Sequence, residues 1–272
     1  MADEIITSTQ NPKIKRLRLL QQKSQFRREQ GIFVVEGQRE VERCLKAGYD
    51  VEMLWVCPDI AGATAAAHQL LARMPQKSVA EMMRLVSHNV YEAIAYRKDT
   101  EGVMAEVRIH PLSLSDIVFR AQPLVVVLES VEKPGNVGAI LRSADAAGAD
   151  AVIVCDPLTD LYNPNLIRAS LGTRFSVPTV ACTSAECIQW LKGKGIRIFT
   201  AQLQDSLPYY STDMRTGIAI VMGTEATGLT PIWREAADSH IRIPMLGMAD
   251  SLNVSVSTAV LLFEAVRQRQ TT

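Results

Sequence analysis

The chain has 272 residues, with 29 Lys+Arg balanced by 29 Asp+Glu, 47% hydrophobic residues and 5 cysteines. That length suits one large or two ordinary domains, and no apolar run approaches the ~18 residues of a membrane span. The acidic start Met1-Ala2-Asp3-Glu4 lacks the apolar core of a secretory signal; an odd cysteine count without C-x-x-C reads as reduced thiols in a cytoplasmic protein, and 4 isolated histidines without H-E-x-x-H argue against a metal site.

From the N-terminus, the loop Ser8-Thr9-Gln10-Asn11-Pro12 leads into a basic helix to about residue 30, with Leu17, Leu19 and Leu20 on one side. Lys13, Lys15, Arg16, Arg18, Lys23, Arg27 and Arg28 fall within it with no acid among them. Such a cluster suits a phosphate backbone or, more blandly, a solvated helix face. Ile32–Val35 reads as a strand, Gln38–Ala47 as a helix ended by Gly48, Val51–Val56 as a strand and Ala61–Arg73 as an Ala-rich helix. A short helix over Val79–Leu85, a segment around Tyr91–Ala95 and a strand at Gly102–Val107 complete a small α/β unit. We place it at residues 1–110, followed by a linker at 111–122 and a second domain at 123–272.

The second domain alternates regularly. Apolar strands at Leu124–Leu128, Ala151–Val154, Val177–Val180, Ile196–Phe199 and Ile218–Met222 are separated by helices at Val137–Ala147, Asn165–Leu171 and Ala185–Lys192, with a short helix at Ile232–Ala236 after the last of them. Continuous apolar strands alternating with helices predict a parallel sheet covered on both faces. Ile241–Met245 reads as a last strand stopped by Pro244. The helix after it, from Ser251-Leu252-Asn253 to about Val266, is apolar almost all round and therefore expected to be buried.

Three stretches at strand ends are candidates for chemistry. In the first, Glu129 to Arg142, Asn136 reads as an N-cap. Gly138 lies one turn before Arg142 and leaves room for its guanidinium, a fixed cation suited to an anion or polarised oxygen. In the second, Gly223-Thr224-Glu225-Ala226-Thr227-Gly228, glycine after a strand lets backbone approach a ligand, and Glu225 can bond a polar group or pair with Arg142. No Lys-Ser/Thr follows, so this is not a Walker loop. In the third, Met245 to Ser251 offers backbone groups and apolar walls suited to an adenine-like ring, with Ser251 or Asn253 capping the helix. From spacing alone, a nucleotide-like ligand at strand ends of a parallel α/β unit is the reading. A nucleotide-dependent oxidoreductase stays open, although its glycine fingerprint is missing.

The ordered set Asn136-x-Gly138-x-x-x-Arg142, Gly223-x-Glu225-x-x-Gly228 and Ile243-Pro244-Met245 with Ser251-Leu252-Asn253-Val254-Ser255 resembles the three motifs of the SpoU (TrmH-like) RNA ribose methyltransferases of the SPOUT superfamily, over residues 122–268. Ser8-x-x-Asn11-Pro12 and Phe33-x-x-Glu36-Gly37 resemble the small RNA-binding domain that precedes it in many relatives. The resemblance implies an α/β catalytic domain with a C-terminal trefoil knot, S-adenosylmethionine as cofactor and a homodimer. It implies cofactor contacts from Thr200 (with Ala201), Gly223, Ile243, Met245 and Leu252, and a reaction site of Arg142, Asn136, Glu225, Ser251 and Asn253. It also implies that Arg168 faces RNA, together with Lys13, Lys15, Arg16, Arg18, Arg27 and Arg28. Arg142 is the family's candidate for activating the ribose hydroxyl; since guanidinium stays protonated, holding the ribose phosphate and stabilising an alkoxide is the easier role. No membrane and no metal is implied. Ribosomal RNA is favoured over transfer RNA, with an RNA-binding protein that has lost its chemistry as the further alternative.

Overall fold

The structure, a computed structural model, describes residues 5–74, 79–96, 100–224 and 227–270. The chain forms two compact units: residues 1–110 with 162–175, and residues 111–161 with 176–272. Among the described residues no helix is long and apolar enough to cross a membrane.

The first unit begins with α1 (Pro12–Gln22) and α2 (Ser24–Gln30). The single basic helix expected here breaks at Lys23, whose backbone is extended (φ −116°, ψ 109°). Then follow β1 (Ile32–Glu36), α3 (Gln38–Lys46), β2 (Val51–Val56), α4 (Ala63–Leu71), α5 (Val79–Met82), β3 (Met83–Leu85), α6 (His88–Ile94) and β4 (Val103–Arg108). The stretch expected as one short helix thus divides into α5 and a strand. The sheet order is β1-β4-β2-β3, with β4 antiparallel to both neighbours and β3 parallel to β2. The alternation of its strands sends Phe33, Val35 and Leu54 into one core with α3 and α4, and Val34, Trp55 and Met104 into another with Ile14, Leu17 and Leu20 of α1. The helix α8 (Pro164–Ala169), capped by Asn163, belongs to this unit through Ile167.

The second unit holds β5 (Leu124–Glu129), α7 (Pro134–Ala146), β6 (Ala151–Cys155), β7 (Thr179–Cys182), α9 (Ser184–Gly193), β8 (Arg197–Ala201), β9 (Leu207–Pro208), β10 (Ile218–Met222), α10 (Pro231–Ala236), β11 (Ser239–Arg242) and α11 (Val254–Gln270). Its seven strands are all parallel, in the order β7-β6-β5-β10-β8-β11-β9. β10 therefore enters between β5 and β8, and β11 between β8 and β9. Every residue of β5, β6 and β10 is buried, as expected for a parallel sheet with both faces covered. One face carries Val125, Val127, Ile153 and Val221 against Leu191 and Trp233 of α9 and α10; α7 and α11 pack on each other and on β6 and β10.

Two expectations change. The last strand ends at Arg242, so Ile243-Pro244-Met245 is loop rather than strand. The final helix is not buried all round: Val256 and Phe263 are 49% and 48% exposed. It runs to Gln270, held by Arg269, which donates to the carbonyls of Gln122, Pro123, Met214 and Thr216.

Candidate active site

In the large sheet the chain leaves β5 in both directions, with β6 and β7 on one side and β10 on the other. Loops leaving the carboxyl ends of β5 and β10 diverge there, and that crevice is where open α/β sheets bind ligands. Glu129 ends β5 and is 3% exposed. Its carboxylate accepts the backbone N–H of Thr230 at 2.8 Å and the hydroxyl at 2.5 Å, which ties the start of α10 to the end of β5.

The helix α7 starts one turn earlier than expected. Pro134 occupies its first position, where a missing N–H costs nothing, and Lys133 is the N-cap. Asn136 is thus not a cap but lies within the first turn. Its Oδ1 accepts from Asn253 Nδ2 at 3.3 Å. Asn253 does cap α11: its Oδ1 accepts the N–H of Ser255 at 3.0 Å and its hydroxyl at 2.6 Å. The carboxamide of Asn253 is oriented by its own helix, and that orientation aims its N–H at Asn136.

Two adjoining cavities open around this pair. The larger, about 360 Å³, is walled by Ala201–Gln204 after β8, Met222–Thr224 after β10, Ile241–Ile243 with Met245, and Asp250–Leu252 before α11. The smaller, about 170 Å³, is lined by Val131, Glu132, Lys133 and Asn136. Gly223, Thr224 and Val254 line both. At Gly223 a side chain is excluded by the loop's own backbone: a Cβ would lie 2.4 Å from the carbonyl carbon of Gly228. Thr224 and Gly228 exchange both backbone hydrogen bonds, and Gly228 (φ +67°) closes the turn.

Of the sequence-derived residues, Gly223, Ile243, Met245, Ser251 and Leu252 line the larger cavity. Thr200 does not: it is fully buried behind the wall, with Oγ1 2.6 Å from His240 Nδ1. Arg142 lies on the exposed side of α7 and lines neither cavity; among the described residues it makes no ion pair. Glu225 lies outside the described residues. Sequence reasoning missed Gln202, Gln204, Arg234, Arg242 and Asp250 on the wall of the larger cavity. Gln202 and Gln204 follow the carboxyl end of a parallel strand, which was the available signal. Arg234 and Arg242 carried none, and both are held locally, by Gln204 Oε1 and by the Ser206 carbonyl.

In the first unit the basic cluster divides. Lys13, Lys15, Lys23 and Arg28 are exposed. Arg16 is paired with Glu106 at 2.5 Å, and Arg18 donates to the Ala93 carbonyl at 3.1 Å. Arg27 is 2% exposed and donates to the carbonyls of Leu20 and Gln21, so the expectation that it meets RNA gives way to a structural role. Arg168 is exposed and lies over the ring of Tyr96, 4.9 Å from its centroid. Cys155, Cys182 and Cys187 of the second unit bring their sulfurs within 4.8 Å of one another, and all five cysteines are free thiols.

The comparisons with known proteins agree with this geometry. A family model described as the SpoU rRNA Methylase family matches residues 123–263, and one described as an MRM3-like substrate binding domain matches residues 11–105. The 23S rRNA (guanosine-2'-O-)-methyltransferase RlmB of Xanthomonas campestris is 40% identical over 194 residues, 69% of this chain and 78% of that protein. A crystal structure of an RNA 2'-O ribose methyltransferase superposes with a TM-score of 0.84 at 39% identity, covering 98% of this chain and 100% of that one. An AdoMet-bound rRNA methyltransferase from Sinorhizobium meliloti gives 0.86 at 30% identity, with 97% of each chain covered. With a family model matched over more than half of its length and a relative 40% identical across 78% of that protein, the chain belongs to the SpoU rRNA methylase family.

Proposed function

We propose that this protein is an S-adenosylmethionine-dependent methyltransferase acting on a ribose 2'-hydroxyl of ribosomal RNA. The observation that carries the reading is the continuity of the two cavities through Gly223, Thr224 and Val254, which leads from a roomy, partly apolar hollow to the Asn136–Asn253 pair. The larger hollow fits the cofactor's chemistry. Ile241, Ile243, Leu252 and Leu261 offer apolar walls for an adenine, and Gln202, Gln204, Asp250 and Ser251 offer polar atoms for a diol and an amino acid. The bound cofactor supplies an electrophilic sulfonium methyl.

The residues of this chain do the rest. Asn136, Ser251 and Asn253 orient the incoming hydroxyl by hydrogen bonds. Arg142 holds the ribose phosphate and stabilises the oxyanion that develops as the hydroxyl loses its proton, a charge role that needs no deprotonated guanidinium. Glu225 is assigned to the reaction by the motif Gly223-x-Glu225-x-x-Gly228 alone. Thr200 supports the wall through His240 rather than touching cofactor. Residues 1–110, to which the segment 162–175 adds α8, serve as the RNA-binding domain, and the rest of 123–272 as the catalytic domain, with 111–122 as the linker. Lys13, Lys15, Arg16, Arg18, Arg28 and Arg168 face RNA.

The protein works as a homodimer in the cytoplasm. The open stripe of α11, Val256 with Phe263, supports a second copy packed against that helix, because a partly apolar helix face left to water is unfavourable. The entry of β10 and β11 between strands already laid down supports a trefoil knot in the catalytic domain. The test is transfer of labelled methyl from S-adenosylmethionine to ribosomal RNA and, separately, transfer RNA, followed by nucleoside analysis. A 2'-O-methylated nucleoside from ribosomal RNA is the expected product. Cofactor binding with no transfer to either pool overturns the reading in favour of an RNA-binding protein without chemistry.

A further inference from the structure

We propose that Cys182 and Cys187, at the start of α9, are a thiol pair that a hydroperoxide oxidises to a disulfide, with Cys182 as the nucleophile and Cys187 as the resolving thiol. The inference goes beyond methyl transfer and does not depend on it. The pair lies on the β6–β7 side of the sheet and lines neither of the two cavities.

The stretch Cys182-Thr183-Ser184-Ala185-Glu186-Cys187 brings the pair together locally. Thr183 is the N-cap of α9 and forms a capping box with Glu186: its hydroxyl accepts the Glu186 N–H at 3.2 Å, and Glu186 Oε2 accepts the Thr183 N–H at 2.8 Å. The residue before an N-cap and the residue at the fourth helical position meet across such a box, ordinarily as two apolar side chains. Here both are cysteines. A third sulfur comes from the neighbouring strand. Cys155, which ends β6, stands opposite Cys182 at the end of β7, and the three sulfurs lie within 4.8 Å of one another. Cys155 and Cys187 are buried while Cys182 is half-buried, so an oxidant from solvent meets Cys182 first.

Thiolate character makes a cysteine nucleophilic. Hydrogen bonds from the Cys155 and Cys187 thiols hold Cys182 below the ordinary thiol range, against its burial and the charges of Glu186 and Asp156. The Cys182 sulfur attacks one oxygen of the peroxide. The O–O bond breaks, the leaving oxygen takes up the proton that Cys182 gave up, and Cys182 becomes a sulfenic acid. The Cys187 sulfur then attacks the Cys182 sulfur. The S–S bond forms, the S–O bond breaks, and the Cys187 proton departs with the hydroxyl as water. Both thiols are oxidised, and the hydroperoxide is reduced to an alcohol and water. Cys155 is the poorer partner. Opposed residues on neighbouring strands stand about 4.8 Å apart, wider than the ~3.8 Å between the Cβ atoms of a disulfide, and the strand ladder holds that spacing. Cys187 sits on a helix, free of the ladder. In a reducing compartment such a bond is transient, and a dithiol returns it to the thiols.

The experiment treats the full chain with hydrogen peroxide for increasing times, alkylates the remaining thiols after unfolding, and maps the cysteines by mass spectrometry. The expected product is lighter than the parent by two hydrogens, joins Cys182 to Cys187 within one chain, and reverts with dithiothreitol. Cys182 is expected to react about tenfold or more faster than the fully buried Cys44. In Cys187→Ser a sulfenic-acid probe is expected to label Cys182, and in Cys182→Ser no disulfide is expected. If a serine variant fails to fold, the map of the parent chain decides alone, because bond and rate are both read there. A bond from Cys182 to Cys155 or to a second chain, or a Cys182 no faster than Cys44, overturns the proposal. Zinc that co-purifies in stoichiometric amount and shields all three thiols from alkylation makes the cluster a metal site and also overturns it. Failure of methyl transfer leaves the thiol pair standing, and failure of the disulfide leaves the enzymatic reading standing.

Discussion

The Nδ2 of Asn253 stands 3.3 Å from the Oδ1 of Asn136, across 117 residues of chain, and Asn253 reaches that position because Ser255 occupies its other amide atom. One carboxamide thus caps a helix and supports the polar end of the site. The two roles separate by substitution. Asn253→Asp keeps the acceptor for the cap and loses the donor to Asn136, so it is expected to melt near the parent temperature with much reduced methyl transfer. Asn253→Ala loses both, costing about 1 kcal/mol of stability as well. Thermal melts beside initial rates distinguish the roles, and a fully active aspartate variant would remove this contact from the mechanism.

Arg142→Ala is expected to fold and to bind S-adenosylmethionine as the parent does, since the side chain lines neither cavity, while methyl transfer falls by at least a hundredfold if it supplies oxyanion stabilisation. Calorimetric titration of cofactor with a methyl-transfer assay checks both halves. Full activity would exclude Arg142 from catalysis.

Gly223→Ala places a Cβ 2.4 Å from the Gly228 carbonyl carbon, backbone against backbone. The Thr224–Gly228 turn must open to admit it, at about 1–3 kcal/mol. Because Gly223 lines both cavities, cofactor affinity is expected to drop at least tenfold with a lowered Tm. An alanine variant with parental affinity would show that the turn yields freely.

Asp150 at the head of β6 is expected to contribute to acid lability. Burial raises its pKa, but hydrogen bonds from Arg120 and from the Leu124 and Arg120 N–H groups outweigh it, so the carboxyl titrates below its ordinary value. A depressed folded value means stability that is present above the ordinary pKa near ~3.9 and lost as pH falls through the lower, folded one. Urea midpoints are expected to fall below about pH 4 for the parent. Asp150→Asn, less stable by about 1–3 kcal/mol at pH 7, should converge with it there. Parallel curves at all pH values would exclude Asp150 as the source.

Arg27 separates structure from recognition within the basic cluster. Arg27→Ala strips donors from the Leu20 and Gln21 carbonyls at the end of α1 and is expected to cost about 1–3 kcal/mol with an unchanged RNA salt slope. Lys15→Ala, at an exposed position, is expected to do the reverse. Denaturant curves and salt titrations on both variants make the comparison; a slope that flattens in Arg27→Ala without loss of stability would return it to the RNA surface.

Much of the architecture was legible in the chain. Periodicity located β1, β2, β4, β5, β6, β8 and β10, because a strand buried on both faces must be apolar throughout and a helix must repeat its apolar side. Ordered short motifs pointed to Asn136, Gly223 and Ser251, which line the two hollows, and to Asn253, which bonds Asn136, because each stands at a strand or helix end where the chain leaves regular structure. Local composition misread the ends of elements. Pro134 starting α7 displaced Asn136 from the cap, and β11 stopped at Arg242, leaving Ile243 and Met245 as cavity wall. At α7 the local preference of proline for the first helical position set the boundary; at β11 the pairing with the two-residue β9 ended opposite Pro208.

The sequence by itself determined a parallel α/β unit with ligand-binding loops at its strand ends, preceded by a smaller basic α/β unit, since hydrophobic period and turn chemistry act over a few residues. Only the tertiary structure decided which distant groups meet. It joined Asn136 to Asn253, Glu129 to Thr230, Thr200 to His240 and Cys155 to Cys182. It also turned Arg27 inward while leaving Lys13 outside. Those choices depend on strand order and register, in which β10 lies beside β5 after 88 intervening residues of chain, and no local pattern of residues encodes an order that is set by which buried faces fit together.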